Sequence, residues 1–215
     1  AGGSGDPGIM TAYGVYLGIK ASIKHLTGSD ALKGKRVLVQ GVGSVGADLT
    51  EHLRKEEAEV FIYDLYPEVM QRIAMQTGAK PISQSEVYTL DVDVYAPCAL
   101  GATLNPDTIP QLNCAIVAGS ANNQLFDEQR DAQALQDRGV LYVPDFLVNA
   151  GGIINVSMEL ETYNYERAKA LTEKIYDRTL QNFALATEQN ITTHQAALQM
   201  AQRRIDALGH NLLYR

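Results

Sequence analysis

Two groups of residues in this chain have the types and spacing of a ligand site. The first is Gly41-Val-Gly43-Ser44-Val45-Gly46, a GxGxxG run. An apolar stretch, Arg36-Val-Leu-Val-Gln40, precedes it, and an amphipathic one carrying Val45, Leu49 and Leu53 follows, so the run reads as a strand turning tightly into a helix. In such a turn Gly41 permits the bend, Gly43 lets a pyrophosphate approach the backbone, and Gly46 lets the helix lie close on the strand. Ser44 and Val45 open the helix, where free N–H groups and the positive dipole end attract phosphate. The second group centres on Asp64, which ends the next apolar stretch, Glu59-Val-Phe-Ile-Tyr63, and lies 23 residues after Gly41. A carboxylate there accepts hydrogen bonds from the adenosine ribose hydroxyls and repels a 2′-phosphate. Leu65 and Tyr66 follow, with no Arg or Lys to receive that phosphate. The cofactor these residues predict is NAD rather than NADP.

Other chemistry is harder to find. His25, His52, His194 and His210 form no HExxH and have no cysteine partners, so no metal site is expected. Cys98 and Cys114 make no CxxC, as in a reducing cytoplasm. The net charge of -7 argues against a nucleic-acid or anionic-membrane partner, and Arg203-Arg204 reads as a solvated helix face. No apolar run approaches the roughly 18 residues of a membrane span. Residues 1–8 are small and polar, unlike a signal peptide. A cytoplasmic protein is the expectation.

The elements that must position the two groups follow from periodicity. Residues 1–10 read as a glycine-rich hinge loop, and a helix from Thr11 carries Val15, Ile19, Ile23 and Leu26 at helical spacing. Strands are expected at 36–40, 59–63, 92–96, 115–118 and 140–143, with helices after Gly41, from Pro67 and over 127–138. From Gly151 the pattern is helical: one segment to about Tyr163, a long one over 165–188, and a last one over 192–208. Strands alternating with helices imply an α/β fold, a doubly wound parallel sheet of the Rossmann type, with extra N- and C-terminal helices. The expected division is a hinge over 1–10, a nucleotide-binding domain with its leading helix over 11–163, and C-terminal helices over 164–215.

Several segments together resemble the Glu/Leu/Phe/Val dehydrogenase family, on its leucine and phenylalanine branch. They are Gly3-Ser-Gly-Asp-Pro7, Thr11-Ala-Tyr-Gly-Val15, Val39-Gln-Gly-Val-Gly43, Ala96-Pro-Cys-Ala-Leu-Gly101, Ala118-Gly-Ser-Ala-Asn-Asn-Gln-Leu125 and Asn149-Ala-Gly-Gly-Ile-Ile-Asn155. They occur in the family's order and extend over essentially the whole chain. The resemblance implies oxidative deamination of an L-amino acid to a 2-oxo acid and ammonia, with hydride passing to NAD, by a homo-oligomer. It implies that Cys98 and Ala99 lie along the adenosine side of the cofactor. Ala121 and Asn122 would meet its nicotinamide half, Thr11 its carboxamide and Asn149 the substrate end. Ile153 and Val156 would line the side-chain pocket, suiting an apolar amino acid. On spacing alone, Ile153 and Val156 are equally a core face, Thr11 a helix-start residue, and Asn122 and Asn123 loop residues capping a helix.

The family's glycine-rich segment ending in a catalytic lysine, and its later aspartate, have no counterpart here. No catalytic residue is therefore assigned, and the chain is expected to be the cofactor-binding portion of such an enzyme, inactive without a substrate domain. The alternative is a non-catalytic NAD-binding or sensing module. A further expectation concerns Ala197, Met200, Ala201, Ile205 and Leu208, an apolar face at helical spacing that folds back, meets another copy or stays exposed.

Overall fold

A computed structural model of the chain describes residues 5–160 and 163–213, with side chains described for 5–159 and 163–207. Six parallel strands form one sheet: β1 (Arg36–Gln40), β2 (Glu59–Tyr63), β3 (Lys80–Pro81), β4 (Val92–Pro97), β5 (Cys114–Val117) and β6 (Leu141–Tyr142). Their order is β3-β2-β1-β4-β5-β6, the doubly wound arrangement expected. Val39 of β1 stands opposite Ile62 on one side and Ala96 on the other, so the centre of the sheet is apolar across three strands.

Alternation along the strands divides the core into two layers. Val39, Ile62, Ala96 and Ile116 face one layer, where α2 (Ser44–Lys55) and α3 (Pro67–Thr77) cross over β1 to β3. The rest of that face is covered by α1 (Gly8–Thr27) and α7 (Tyr165–Gln189), through Val15, Ile19, Ile175 and Phe183. Leu38, Phe61, Tyr95 and Val117 face the other layer, against Ile109, Leu112 and the Ala132 and Leu135 of α4 (Glu128–Asp137). Burial on both faces explains why the strands read as unbroken apolar runs. It also explains the leading and trailing helices, which close the half-face that the crossovers leave open.

The structure corrects several element boundaries. The first helix begins at Gly8, not Thr11, inside the expected loop: the Asp6 carboxylate accepts the Gly8 N–H at 2.7 Å and starts the helix early. Strand β3 lies outside the expected strands because two residues, one a proline, show no alternation; it pairs only with β2, at the sheet edge where proline is tolerated. A short helix, α5 (Asp145–Val148), follows β6, and α6 (Gly151–Ser157) gives way to a 3-10 turn over Met158–Leu160 instead of running on to Tyr163. Helix α7 ends at Asn190, whose φ of 52° stops it. The last helix, α8 (Thr193–Leu213), is anchored at its start, where Thr193 Oγ1 donates to Tyr142 O at 2.6 Å.

The apolar face expected on α8 is divided. Ala197 is buried and Met200 half-buried, but every residue from Ala201 to Ala207 is exposed, Ile205 included; the side chain of Leu208 lies outside the described residues. Among the described residues no helix is long and apolar enough to cross a membrane.

Candidate functional site

The chain changes direction across the sheet between β1 and β4, and the carboxyl ends of neighbouring strands are tied together there. Gly41 N–H donates to Tyr63 O at 2.7 Å, Cys98 N–H to Gln40 O at 2.7 Å, and Ala121 N–H to Pro97 O at 3.0 Å. These bonds bring the loops after β1, β2, β4 and β5 to one edge, the place where doubly wound sheets bind ligands. Two clefts open there, and both are walled by Cys98 and Ala99.

The first cleft, about 580 Å3, lies over β1 and β2. Its floor is the glycine turn, whose three glycines have different reasons. Gly41 has φ of 91°, and a Cβ on it would meet Ala99 Cβ at 2.6 Å. A Cβ on Gly46 would lie 1.9 Å from Gly41 O, so the helix could not approach the strand. A Cβ on Gly43 meets nothing within 4 Å, and its φ of -67° suits any residue. Packing therefore explains Gly41 and Gly46 but not Gly43, whose exposed backbone faces open space. Among the described residues the N–H groups of Gly43, Ser44, Val45 and Gly46 have no hydrogen-bond partner, as at any uncapped helix start. Asp64 is set beside this turn by the turn itself: its Oδ2 accepts Val42 N–H at 2.9 Å and its Oδ1 accepts Tyr66 N–H at 3.1 Å. Each oxygen keeps a lone pair, and Asp64 and the exposed Leu65 both line the cleft.

The second cleft, about 800 Å3, lies between the glycine turn and helices α1 and α6. Thr11, Ser44, Val45, Ala121, Asn122, Asn149, Ile153 and Val156 all line it. Thr11 sits within α1 rather than at its start, with Oγ1 donating to Pro7 O at 2.9 Å. Asn122 caps no helix; its Oδ1 accepts from Asn149 Nδ2 at 2.7 Å, and the same amide reaches Ser120 O at 3.3 Å. Ile153 and Val156 are not core residues: they are 73% and 46% exposed and present an apolar wall to the cleft. Helices α1 and α6 touch backbone to backbone, since a Cβ on Gly151 would fall 2.0 Å from Met10 O and one on Gly152 2.4 Å from Thr11 Oγ1.

The expected site residues thus meet along one edge, divided between two clefts, except Gly46, which lines neither and is buried where α2 packs on the turn. Others that shape it carry no local signal. Gly119 has to lack a side chain because its Cβ would lie 2.1 Å from Pro97 O. The loop over 119–124 is held from within by Gln124, whose Nε2 donates to Gly119 O and Ala121 O. From outside, the buried Asp145 accepts Asn123 N–H at 2.8 Å and the Tyr142 hydroxyl at 3.1 Å. Asp6 and Phe146 also line the second cleft. The Asp6 carboxylate accepts Ser44 Oγ–H at 2.7 Å; that bond and the one from Gly8 hold its carboxyl below the usual carboxylate range. Burial pushes the Cys98 thiol up, so it stays protonated near neutral pH. Lys20, a lysine shielded from solvent, is engaged by Glu56 at 2.8 Å on the side of α1 that faces α2, and it lines neither cleft.

Comparison with known proteins agrees with this architecture. The family model for glutamate/leucine/phenylalanine/valine dehydrogenase matches residues 2–64 and 63–210. Leucine dehydrogenase of Geobacillus stearothermophilus is 45% identical over 100% of this chain and 61% of its own length. The crystal structure of L-tryptophan dehydrogenase from Nostoc punctiforme superposes with a TM-score of 0.92 at 44% identity, covering 94% of this chain and 62% of that one. Hetero-hexameric glutamate dehydrogenase from Thermus thermophilus, in its Leu-bound form, gives 0.74 at 25% identity, with 93% and 52% covered. The chain spans about three fifths of the length of the curated relatives it matches. On the family match and these identities, the chain belongs to the glutamate/leucine/phenylalanine/valine dehydrogenase family.

Proposed function

We propose that this chain is the NAD-binding portion of an amino-acid dehydrogenase that oxidatively deaminates an apolar L-amino acid to a 2-oxo acid, as a cytoplasmic homo-oligomer. In this reading the segment leading into α1 acts as the hinge, α1 through residue 163 hold the cofactor, and 164–215 brace that domain. On the same reading no residue of this chain supplies the catalytic lysine or aspartate that the family resemblance implies. The observation that carries the reading is the exposed start of α2. Four N–H groups without partners and a glycine that packing does not require stand beside a carboxylate positioned by the same turn.

NAD would supply the hydride acceptor. The chain's own residues then have distinct work. Ser44 and Val45 offer N–H groups to the pyrophosphate, and Asp64 offers its two free lone pairs to the adenosine ribose while repelling a 2′-phosphate. Cys98 and Ala99 separate the adenosine and nicotinamide cavities. Asn149 fixes Asn122 and Ser120 at the nicotinamide side, near Thr11 and Ala121. Ile153 and Val156 present an apolar, water-excluding wall toward the substrate. Calorimetric titration with NAD and NADP tests the cofactor; saturable binding of NAD with NADP much weaker is expected, and equal affinities would contradict the role of Asp64. Incubation with leucine, valine or phenylalanine and NAD is expected to form no NADH with this chain alone, and to do so once the substrate portion of a leucine dehydrogenase is supplied in trans.

A further inference from the structure

The start of α2 already has an anion beside it. Asp6 is the last residue before the proline that caps α1, and its carboxylate bridges two helix starts: Oδ1 accepts Gly8 N–H and Oδ2 accepts Ser44 Oγ–H, both at 2.7 Å. The contact is tight. A Cβ on Gly8 would stand 2.9 Å from both Asp6 Oδ1 and Ser44 Oγ, so a side chain there could not be added without parting the two. Both bonds favour the ionised form, so the group carries its charge throughout the neutral range. Ser44 is also the first residue of the helix whose opening N–H groups are free among the described residues, and Ser44 and Asp6 both line the second cleft.

We propose that Asp6 is a built-in competitor for the phosphate turn: its carboxylate takes the Ser44 hydroxyl when the turn is free, and a bound pyrophosphate has to displace it. The inference rests on the reading of Gly41–Gly46 as the pyrophosphate turn. A phosphate bonded to the Ser44 N–H and a carboxylate bonded to the Ser44 hydroxyl are two like charges on one residue. Ser44 has a single hydroxyl proton and can donate it to only one of them. Binding therefore weakens the Asp6–Ser44 bond and loosens the fastening of the α1 start to α2. This makes Asp6 a positioning residue: it acts on the cofactor through Ser44 and through charge. Occupancy of the turn is thereby coupled to the segment that leads into α1.

The sign of the effect distinguishes this from a cofactor ligand. Asp6→Asn removes the charge and keeps an oxygen able to cap Gly8. NAD and ADP-ribose are expected to bind the variant about 3- to 10-fold more tightly than the parent at low salt, the gain given by one like-charge contact at intermediate dielectric. Adenosine, which has no phosphate, is expected to bind both equally, and 0.5 M salt, on the order of a few ångströms of screening length, is expected to shrink the gain. If Asn weakens the fold, as judged by thermal melting, Asp6→Ser keeps a capping oxygen without charge and carries the same test. NAD affinity that is unchanged or lower in these variants overturns the proposal, a lower value making Asp6 a direct ligand. A parent chain that binds neither NAD nor ADP-ribose overturns the reading of the turn as well, so the two failures are told apart.

Discussion

The two clefts at the sheet edge are built by different physics. The first is built around one continuous β1-turn-α2-β2 unit, walled by residues 84–88 and the loop after β4, and its shape is held by two backbone hydrogen bonds, Gly41 to Tyr63 and Cys98 to Gln40, and by the Val42 N–H donating to the Asp64 carboxylate. The second is assembled from five separate stretches of chain, the starts of α1, α2 and α6 and the loops after β4 and β5, and is held by close packing of helices and by side-chain amides. A cleft of the first kind is specified by a few adjacent residues and tolerates change elsewhere. One of the second kind depends on contacts over more than a hundred residues of sequence, such as Met10 against Gly151. The difference implies that damage to the first should show as lost binding, and damage to the second as lost stability.

A pair of glycine substitutions gives the widest separation. Gly151→Val drives a branched side chain into the Met10 carbonyl and must part α6 from α1. We expect it to lower stability by about 3–5 kcal/mol, roughly 10 °C in melting temperature for a chain of this size. Gly43→Val, in open space with an ordinary φ, is expected to change stability by less than about 0.5 kcal/mol yet abolish measurable NAD binding. Thermal denaturation and calorimetry on both variants check this, and a Gly43→Val protein that binds NAD normally would remove the turn from the site.

A smaller effect is expected at Asp64. Its replacement by alanine would remove the charge-assisted bonds proposed to the ribose, about 1.5–3 kcal/mol or roughly 10- to 150-fold in NAD affinity, and is expected to narrow the proposed preference over NADP. The same change frees the Tyr66 N–H to solvent and leaves the N–H of the buried Val42 without its acceptor, about 1–3 kcal/mol, so the melting temperature should fall by several degrees, less than for Gly151→Val. Smaller again is Asn149→Ala. It frees Asn122 and Ser120 in the second cleft only, the side proposed for nicotinamide, at about 1 kcal/mol. Binding of nicotinamide mononucleotide should weaken roughly 5-fold while adenosine monophosphate binds as before. Loss of both affinities together would mean that the clefts are not independent.

The same contrast explains what is legible without the structure. Gly41, Gly43, Gly46 and Asp64 act through neighbours on the chain, and their spacing alone locates the turn, its helix and the acid. The strands flanking them are buried on both faces and announce themselves as apolar runs. Asp145 and Asn149 act on partners 22 and 27 residues away, and no local pattern marks such pairs. Ile153 and Val156 have helical spacing, which is the same for a core face and for a cleft wall; only their exposure separates the two. Asp6 is hidden differently, inside a glycine-rich stretch that reads as loop, although a carboxylate two residues before a helical N–H is a helix-start signal. Strand β3 is too short for any periodicity to register.

Cys98 stands between the clefts and offers the finest test of their separation. Its thiol is half-buried and lines both cavities, and burial holds its proton on above the ordinary thiol range. Alkylation proceeds through the thiolate, so iodoacetamide at pH 8 should modify Cys98 more slowly than a free thiol, with a rate still rising beyond about pH 9. Cys114, the other thiol, is pushed up to about 12 by burial and should react more slowly still; Cys98→Ala identifies its background. On the proposed cofactor placement adenosine monophosphate would fill one side of Cys98 and nicotinamide mononucleotide the other, so each should slow the reaction in part and NAD should slow it most. If adenosine monophosphate alone protects as fully as NAD, reagent reaches the sulfur only through the first cleft, and the second is closed to it at Cys98. If neither half protects but NAD does, the two cavities close together around the whole dinucleotide, and the division drawn from backbone and packing would have to be replaced by a single cooperative site.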